Sequence, residues 1–195
     1  MSSNDIMHAA AWASEKHAGQ ERKHNGTPYI RHPQRVAARA MCLEGMSVQG
    51  VIAAFLHDVP EECGGNEYGR SLLSTAIEVS WGAIVRDMVR ELTPVTLGLT
   101  TTREMRKKME RGHLARARRE SKRIKLLDRI DNLQEVLCDM QRGVNTSYSH
   151  SALYVAESRQ LLEDSLRGAD AALEEELMST IEFVGKWMQQ QAKKL

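Results

Sequence analysis

Apolar positions along this chain recur at threes and fours, and no stretch alternates apolar with polar residues convincingly enough to suggest a strand. From Asp5 to His17, the residues Ile6, Ala9, Ala10 and Ala13, followed by Ala18, predict a first helix that Gly19 ends. A polar, turn-rich segment runs from Gly19 to Ile30, where Asn25-Gly26 marks a tight turn and Thr27-Pro28 disfavours helix before the proline. Arg31-His32-Pro33 opens a second helix, with Pro33 at its first position, and Val36, Ala37, Ala40 and Met41 give that helix a buried face. Ser47 is placed to cap a third helix, Val48 to about His57. Pro60 and Gly64-Gly65 then interrupt regular structure, and a polar loop extends to about Arg70. Two helical stretches, Leu72 to Val79 and Ala83 to Leu92, join around Trp81-Gly82.

After a loop containing Thr93-Pro94 and Gly98 to Thr102 comes a long basic segment of helical composition. Within it Ile124, Leu127, Ile130, Leu133 and Leu137 form an amphipathic stripe, and Asp128 and Asn132, four apart, share a face outside that stripe. Ser151 to about Arg167 and Ala169 to about Gln190 predict two more helices, separated at Gly168. The expected architecture is an all-α bundle of roughly eight to ten helices.

Composition changes this picture only at its edges. With 195 residues, 42% hydrophobic and 27% charged, the chain has the balance of one soluble globular domain spanning residues 1–195. The polar start Met1-Ser2-Ser3-Asn4-Asp5 has no signal-peptide pattern, no membrane span is visible, and Cys42, Cys63 and Cys138 form neither a CxxC pair nor a disulfide framework. These features predict reduced thiols and a cytoplasmic location. The net charge of +1 conceals an asymmetry: Arg103 to Lys125 holds eleven Lys/Arg against three Glu, and Glu157 to Glu182 holds eight acids against two Arg. The basic run is either a phosphate-attracting surface or a solvated face balanced by the acidic C-terminal part. A chain this near neutrality is not built as a dedicated nucleic-acid binder.

The candidate chemistry lies where the apolar run Val51 to Leu56 ends on His57-Asp58, with Glu61 and Glu62 one turn later. Four polar side chains at the end of a buried run are costly unless something binds them. By themselves they also fit a histidine at a helix end followed by ordinary solvated acids.

Four stretches carry a resemblance. They are His17-Ala18-Gly19-Gln20 with Arg22-Lys23; Gly26-Thr27-Pro28-Tyr29-Ile30 with His32-Pro33; Leu56-His57-Asp58-Val59-Pro60-Glu61-Glu62; and Ile124 to Leu133, containing Asp128-Arg129-Ile130-Asp131-Asn132. A histidine, an HD doublet and a distant aspartate in this order resemble the HD-domain phosphohydrolases, and the wording resembles their RelA/SpoT hydrolase branch. The motifs span about Asp5 to Leu133, and the helical tail matches more loosely the single-domain small alarmone hydrolases.

The resemblance implies an HD-domain helical bundle and one Mn²⁺ held by His32, His57, Asp58 and Asp128, with Fe²⁺, Co²⁺ or Zn²⁺ as alternatives. Two imidazoles with two carboxylates suit a six-coordinate ion better than a closed structural zinc site. It further implies that Glu61 and Glu62 handle the attacking water, and that Arg22, Lys23 and Asn132 line the substrate pocket, with Lys107 and Tyr154 as further contacts. The implied reaction removes the 3′-pyrophosphate of guanosine tetraphosphate or pentaphosphate (ppGpp, pppGpp). Two positions depart from the family pattern: Glu62 stands where Asp is usual, and Leu127 precedes Asp128 where Ala is common.

Without the resemblance, His17 reads as a residue near a helix end and His24 as one on a surface turn, His113 and His150 have no motif support, and Asp131 reads as a salt bridge or cap. Trp12, Trp81 and Trp187 read as core or interface anchors. Other functions compete with the first: hydrolysis of another nucleotide such as the NADPH 2′-phosphate or a deoxynucleotide, or of toxin-pyrophosphorylated RNA, for which the basic segment is the only support. A non-catalytic nucleotide-binding regulator is a further alternative, supported only by Glu62. The oligomeric state is not written in the sequence.

Overall fold

The computed structural model describes residues 2–144 and 148–192. Among these there is no β-strand, only an isolated bridge between Glu21 and Pro28. The helices are α1 (Ser3–Lys16), α2 (Arg31–Met41), α3 (Val48–Leu56), α4 (Val59–Cys63), α5 (Glu67–Leu92), α6 (Arg103–Leu114), α7 (Arg119–Gln141), α8 (Tyr148–Leu161), which runs into a π-helical turn at Leu162–Leu166, and α9 (Ala171–Ala192). The expected all-α bundle is the observed fold.

At the centre is α3, every residue of which from Gly50 to Leu56 is buried, packed among α1, α2, α5 and α7. Such a segment has no polar face to spend on solvent, so its stability comes from surrounding contacts and not from amphipathicity. Ser47 caps it as expected, accepting from the Gly50 backbone N–H. The helix stops after Leu56 because Pro60 has no N–H to give the Leu56 carbonyl and its ring crowds that carbonyl. The chain therefore turns at His57-Asp58 and restarts as α4.

Two boundaries differ from expectation and a third agrees with it. Pro33 sits two residues inside α2, since Arg31 opens the helix, and its missing N–H is still among the unpaired first-turn donors. The loop predicted to reach Arg70 ends at Asn66, whose side chain accepts from Gly69 N–H and starts α5. Gly82, at φ 84°, divides α5 where the Trp81-Gly82 junction was expected.

The larger correction concerns α7. Ile124, Leu127, Ile130 and Leu133 are buried as the stripe predicts, but so are Arg123, Asp128, Arg129 and Asp131 on its other faces. Packed against α2 and α3 on one side and α9 on another, the middle of α7 is interior all round.

The basic run is neutralised in part within the fold: Arg103 pairs with Glu157, Arg111 with Asp164 and Arg123 with Asp170, all three acids lying in the acidic C-terminal part. No helix among the described residues is long and apolar enough to cross a membrane.

Candidate metal centre and substrate cavity

Three helices deliver the predicted ligands to one place. His32 is the second residue of α2, His57 ends α3, Asp58 precedes α4, and Asp128 lies mid-way along α7. Ligand atoms of His32, His57 and Asp128 lie within 4.8 Å of one another. Asp58 joins them, with one oxygen 3.5 Å from His32 Nε2 and the other 3.2 Å from His57 Nε2.

The outer nitrogens set the tautomers. His32 Nδ1 lies 2.6 Å from Asp131 Oδ2 and His57 Nδ1 lies 2.8 Å from the Ala54 carbonyl. Both partners can only accept, so both Nδ1 atoms carry the proton and both Nε2 lone pairs face the cluster. Neither Nε2 has a hydrogen-bond partner although both are buried; the 3.2 Å approach of His32 Nε2 to Asp128 Oδ1 lacks hydrogen-bond alignment. Unpaired buried imidazole nitrogens between two carboxylates are the arrangement a divalent cation completes, and second acceptors behind each imidazole are typical of metal-binding histidines. The residues present fit a divalent metal.

The electrostatics agree. Burial holds the His57 imidazolium unfavourable and lowers its pKa, which keeps the neutral, ligating form. For His32 burial acts the same way but is outweighed by the adjoining Asp128 and Asp131 carboxylates, pushing it up to about 9, so a proton and a cation compete for the same Nε2 lone pair. Asp128 is held well below the ordinary carboxylate range, against its burial, chiefly by Lys125, whose Nζ lies 2.7 Å from Oδ2.

Beside the cluster opens a cavity of about 580 Å³, large enough for a nucleotide-sized ligand. Asp58, Asp128, Glu61 and Glu62 line it, as do Arg22, Lys23, Asn132 and Tyr154. Glu61 is raised to about 7, first by burial and then by the charge of Asp58. Lys107 is not brought to the cavity; its ammonium is 2.7 Å from Glu110 on the same helix.

Several participants had no role in the sequence reading. Tyr29 donates to Asp58 Oδ2 at 2.8 Å, and burial raises its pKa so that it remains a phenol. His17, expected at a helix end, is fully buried and stacks under the Tyr29 ring at 5.0 Å, with Nδ1 2.8 Å from Gln20 Oε1. Asp131 forms the expected salt bridge, taking Arg35 across both oxygens, and also holds His32. Lys125 and Arg129 line the cavity, as do His24 and His150 at its exposed rim. Lys125 could have been found from its position one helical turn before Asp128; Arg35 and Glu135 carry no such local signal.

These contacts close a ring. From His32 the links run to Asp131, Arg35, Glu135, Arg22, Asn132 and Asp128, the last being a 2.5 Å bond from Asn132 Nδ2 to Asp128 Oδ1. The loop carrying Arg22 is thereby tied at both ends to ligands of the cluster.

The chain matches the HD domain family model over residues 9–155. It is 31% identical over 176 residues to the guanosine-3′,5′-bis(diphosphate) 3′-pyrophosphohydrolase MESH1 of Xenopus tropicalis, covering 88% of this chain and 90% of that protein. The mouse MESH1 protein is 30% identical over 184 residues, covering 92% and 94%. Among solved structures, a metazoan ortholog of SpoT described as hydrolysing ppGpp superposes with a TM-score of 0.76 at 26% identity, covering 95% of this chain and 98% of that one. The order of the ligands, their convergence and these matches lead to one conclusion: the chain belongs to the HD domain family, among the relatives of the MESH1 proteins.

Proposed function

We propose that this protein is a divalent-metal-dependent hydrolase that removes the 3′-pyrophosphate of guanosine tetraphosphate or pentaphosphate, giving GDP or GTP and pyrophosphate. The observation that carries the reading is the meeting of His32, His57, Asp58 and Asp128 at one end of the cavity with two buried Nε2 atoms unpaired. The likeness to MESH1 proteins supports the substrate.

In this reading the four side chains hold one ion, with Mn²⁺ favoured by the mixed nitrogen and oxygen donors. Such an ion, when bound, acidifies a water and neutralises phosphoryl charge. The protein's own groups do the rest. Glu61, ionised above about pH 7 in the metal-free structure, accepts a proton from the attacking water, and Glu62 at the cavity edge orients it. As the water oxygen bonds to phosphorus, the bond from phosphorus to the ribose 3′-oxygen breaks; that oxygen takes up a proton from solvent, and the proton accepted by Glu61 is released to solvent. Lys125, Arg22 and Lys23 stabilise charge gathering on the phosphate oxygens. Asn132 keeps Arg22 in register with Asp128, and Tyr154 faces the nucleoside. Lys107 has no part in this scheme, being paired with Glu110 and outside the cavity lining.

Incubation of purified protein with Mn²⁺ and ppGpp, with products read by mass, tests the proposal. GDP and pyrophosphate are expected, and Asp58→Asn should abolish both metal binding and turnover. Cleavage of NADPH, a deoxynucleotide or pyrophosphorylated RNA with ppGpp left intact would overturn the substrate.

A further inference from the structure

The charged side chains around Arg129 on α7 have partners: Arg123 with Asp170, Lys125 with Asp128, Asp131 with Arg35. Arg129 differs. It is 9% exposed, yet neither Nε nor Nη1 has a hydrogen-bond partner among the described residues. Its guanidinium lies over the Tyr154 ring, 4.7 Å from the centroid. A ring face attracts the cation and fixes its plane, but accepts none of the in-plane N–H bonds. Burial disfavours its charge, while Tyr154, Asp128 and Glu157 keep it protonated.

A buried cation with unmet donors is costly, and a fold that needed only a spacer here would be better served by an apolar side chain. Position supplies the reason to keep it. Arg129 follows Asp128 in sequence and lies on the cavity wall with Lys125, Arg22 and Lys23. A guanidinium is the side chain best matched to paired phosphate oxygens.

We propose that Arg129 binds the phosphate oxygens of the ligand, which supply the acceptors its buried N–H groups lack. The cation–π contact is weakly directional, so the guanidinium can slide over the Tyr154 ring and present those donors to the cavity without losing its stack. The assignment rests on the phosphohydrolase reading for its ligand class, a pyrophosphate or nucleotide phosphate.

Two variants test it. Arg129→Met keeps an unbranched chain against the Tyr154 ring and removes the charge, whereas Arg129→Lys keeps the charge and removes the planar fork. The measurements are the melting temperature without ligand, Mn²⁺ affinity, and the affinity of the Mn²⁺-loaded protein for inorganic pyrophosphate by calorimetry. Arg129→Met is expected to raise the ligand-free Tm by at least ~2 °C. It should weaken pyrophosphate binding roughly ten- to a hundredfold with Mn²⁺ affinity within about twofold of wild type. A lowered Tm with unchanged pyrophosphate affinity would make Arg129 a structural cation and overturn the assignment. If Arg129→Met does not fold, Arg129→Lys decides: weakened pyrophosphate binding upholds the proposal, and wild-type affinity sinks it. Because binding is read without turnover, a protein that leaves ppGpp intact but binds pyrophosphate through Arg129 refutes only the substrate. Wild-type protein that binds no pyrophosphate refutes the assignment of Arg129.

Discussion

Around His32 two carboxylates play different parts. Asp128 shares the cluster with Nε2, whereas Asp131 accepts from Nδ1 and is itself held by the Arg35 fork. Asp131 therefore fixes the ring that Asp128 meets. In Asp131→Ala the imidazole is free to turn, and Mn²⁺ affinity measured by titration should fall about ten- to a hundredfold, with turnover recovering at saturating metal. A fall in kcat that excess metal does not restore would argue that Asp131 acts on the reaction itself. At this scale the ligand residues were legible because each sits in a short motif of fixed order. The supports were not: Arg35 and Glu135 lie 100 residues apart and meet only through the packing of α2 on α7.

Helix α5 shows how an element departs from its periodicity for a local reason. Gly82 takes φ 84° and ψ 168°, a conformation open in practice to glycine alone, and this bend lets two helical halves follow different neighbours. A methyl group there would meet no atom within 4 Å, so any penalty is that of the backbone. Gly82→Ala should cost about 1–3 kcal/mol and lower Tm by roughly 3–10 °C in a chain of this size. An unchanged melting temperature would mean that the kink is not required. In α7 the failure of the pattern has another origin. An amphipathic stripe was legible, but the burial of Asp128, Arg129 and Asp131 outside it was not, because polarity in sequence does not say whether a partner or water receives it.

Across the molecule, carboxylates meet cations drawn from distant segments. Burial raises the cost of charge on Asp131, Glu135, Glu110 and Glu157, yet hydrogen bonds from His32 and Arg35, from Asn25 and Arg22, from Lys107 and Thr96, and from Arg103 lower all four pKa values. A folded-state pKa below the unfolded one means that the unfolded chain binds protons first on acidification. The stability these groups supply is present above their ordinary values of 3.8 for Asp131 and 4.5 for the glutamates, and is lost as pH falls through their lowered values. Denaturant midpoints measured from pH 6 down to 2.5 should therefore decline mainly below about pH 4.5; a midpoint flat through that range would count against these contacts. The sequence alone determined the all-α class and the approximate extent of several helices, because helical periodicity and caps are local properties of the chain, and its short motifs pointed through the family resemblance to four metal-competent residues. Tertiary structure decided which acids face a cation and which face solvent, and it tied Arg22 to the ligand cluster. It also left two buried nitrogens of Arg129 without a hydrogen-bond partner and Lys107 outside the cavity lining. Those outcomes depend on distances between segments far apart in the chain, and desolvation assigns each charge its cost only after packing has closed around it.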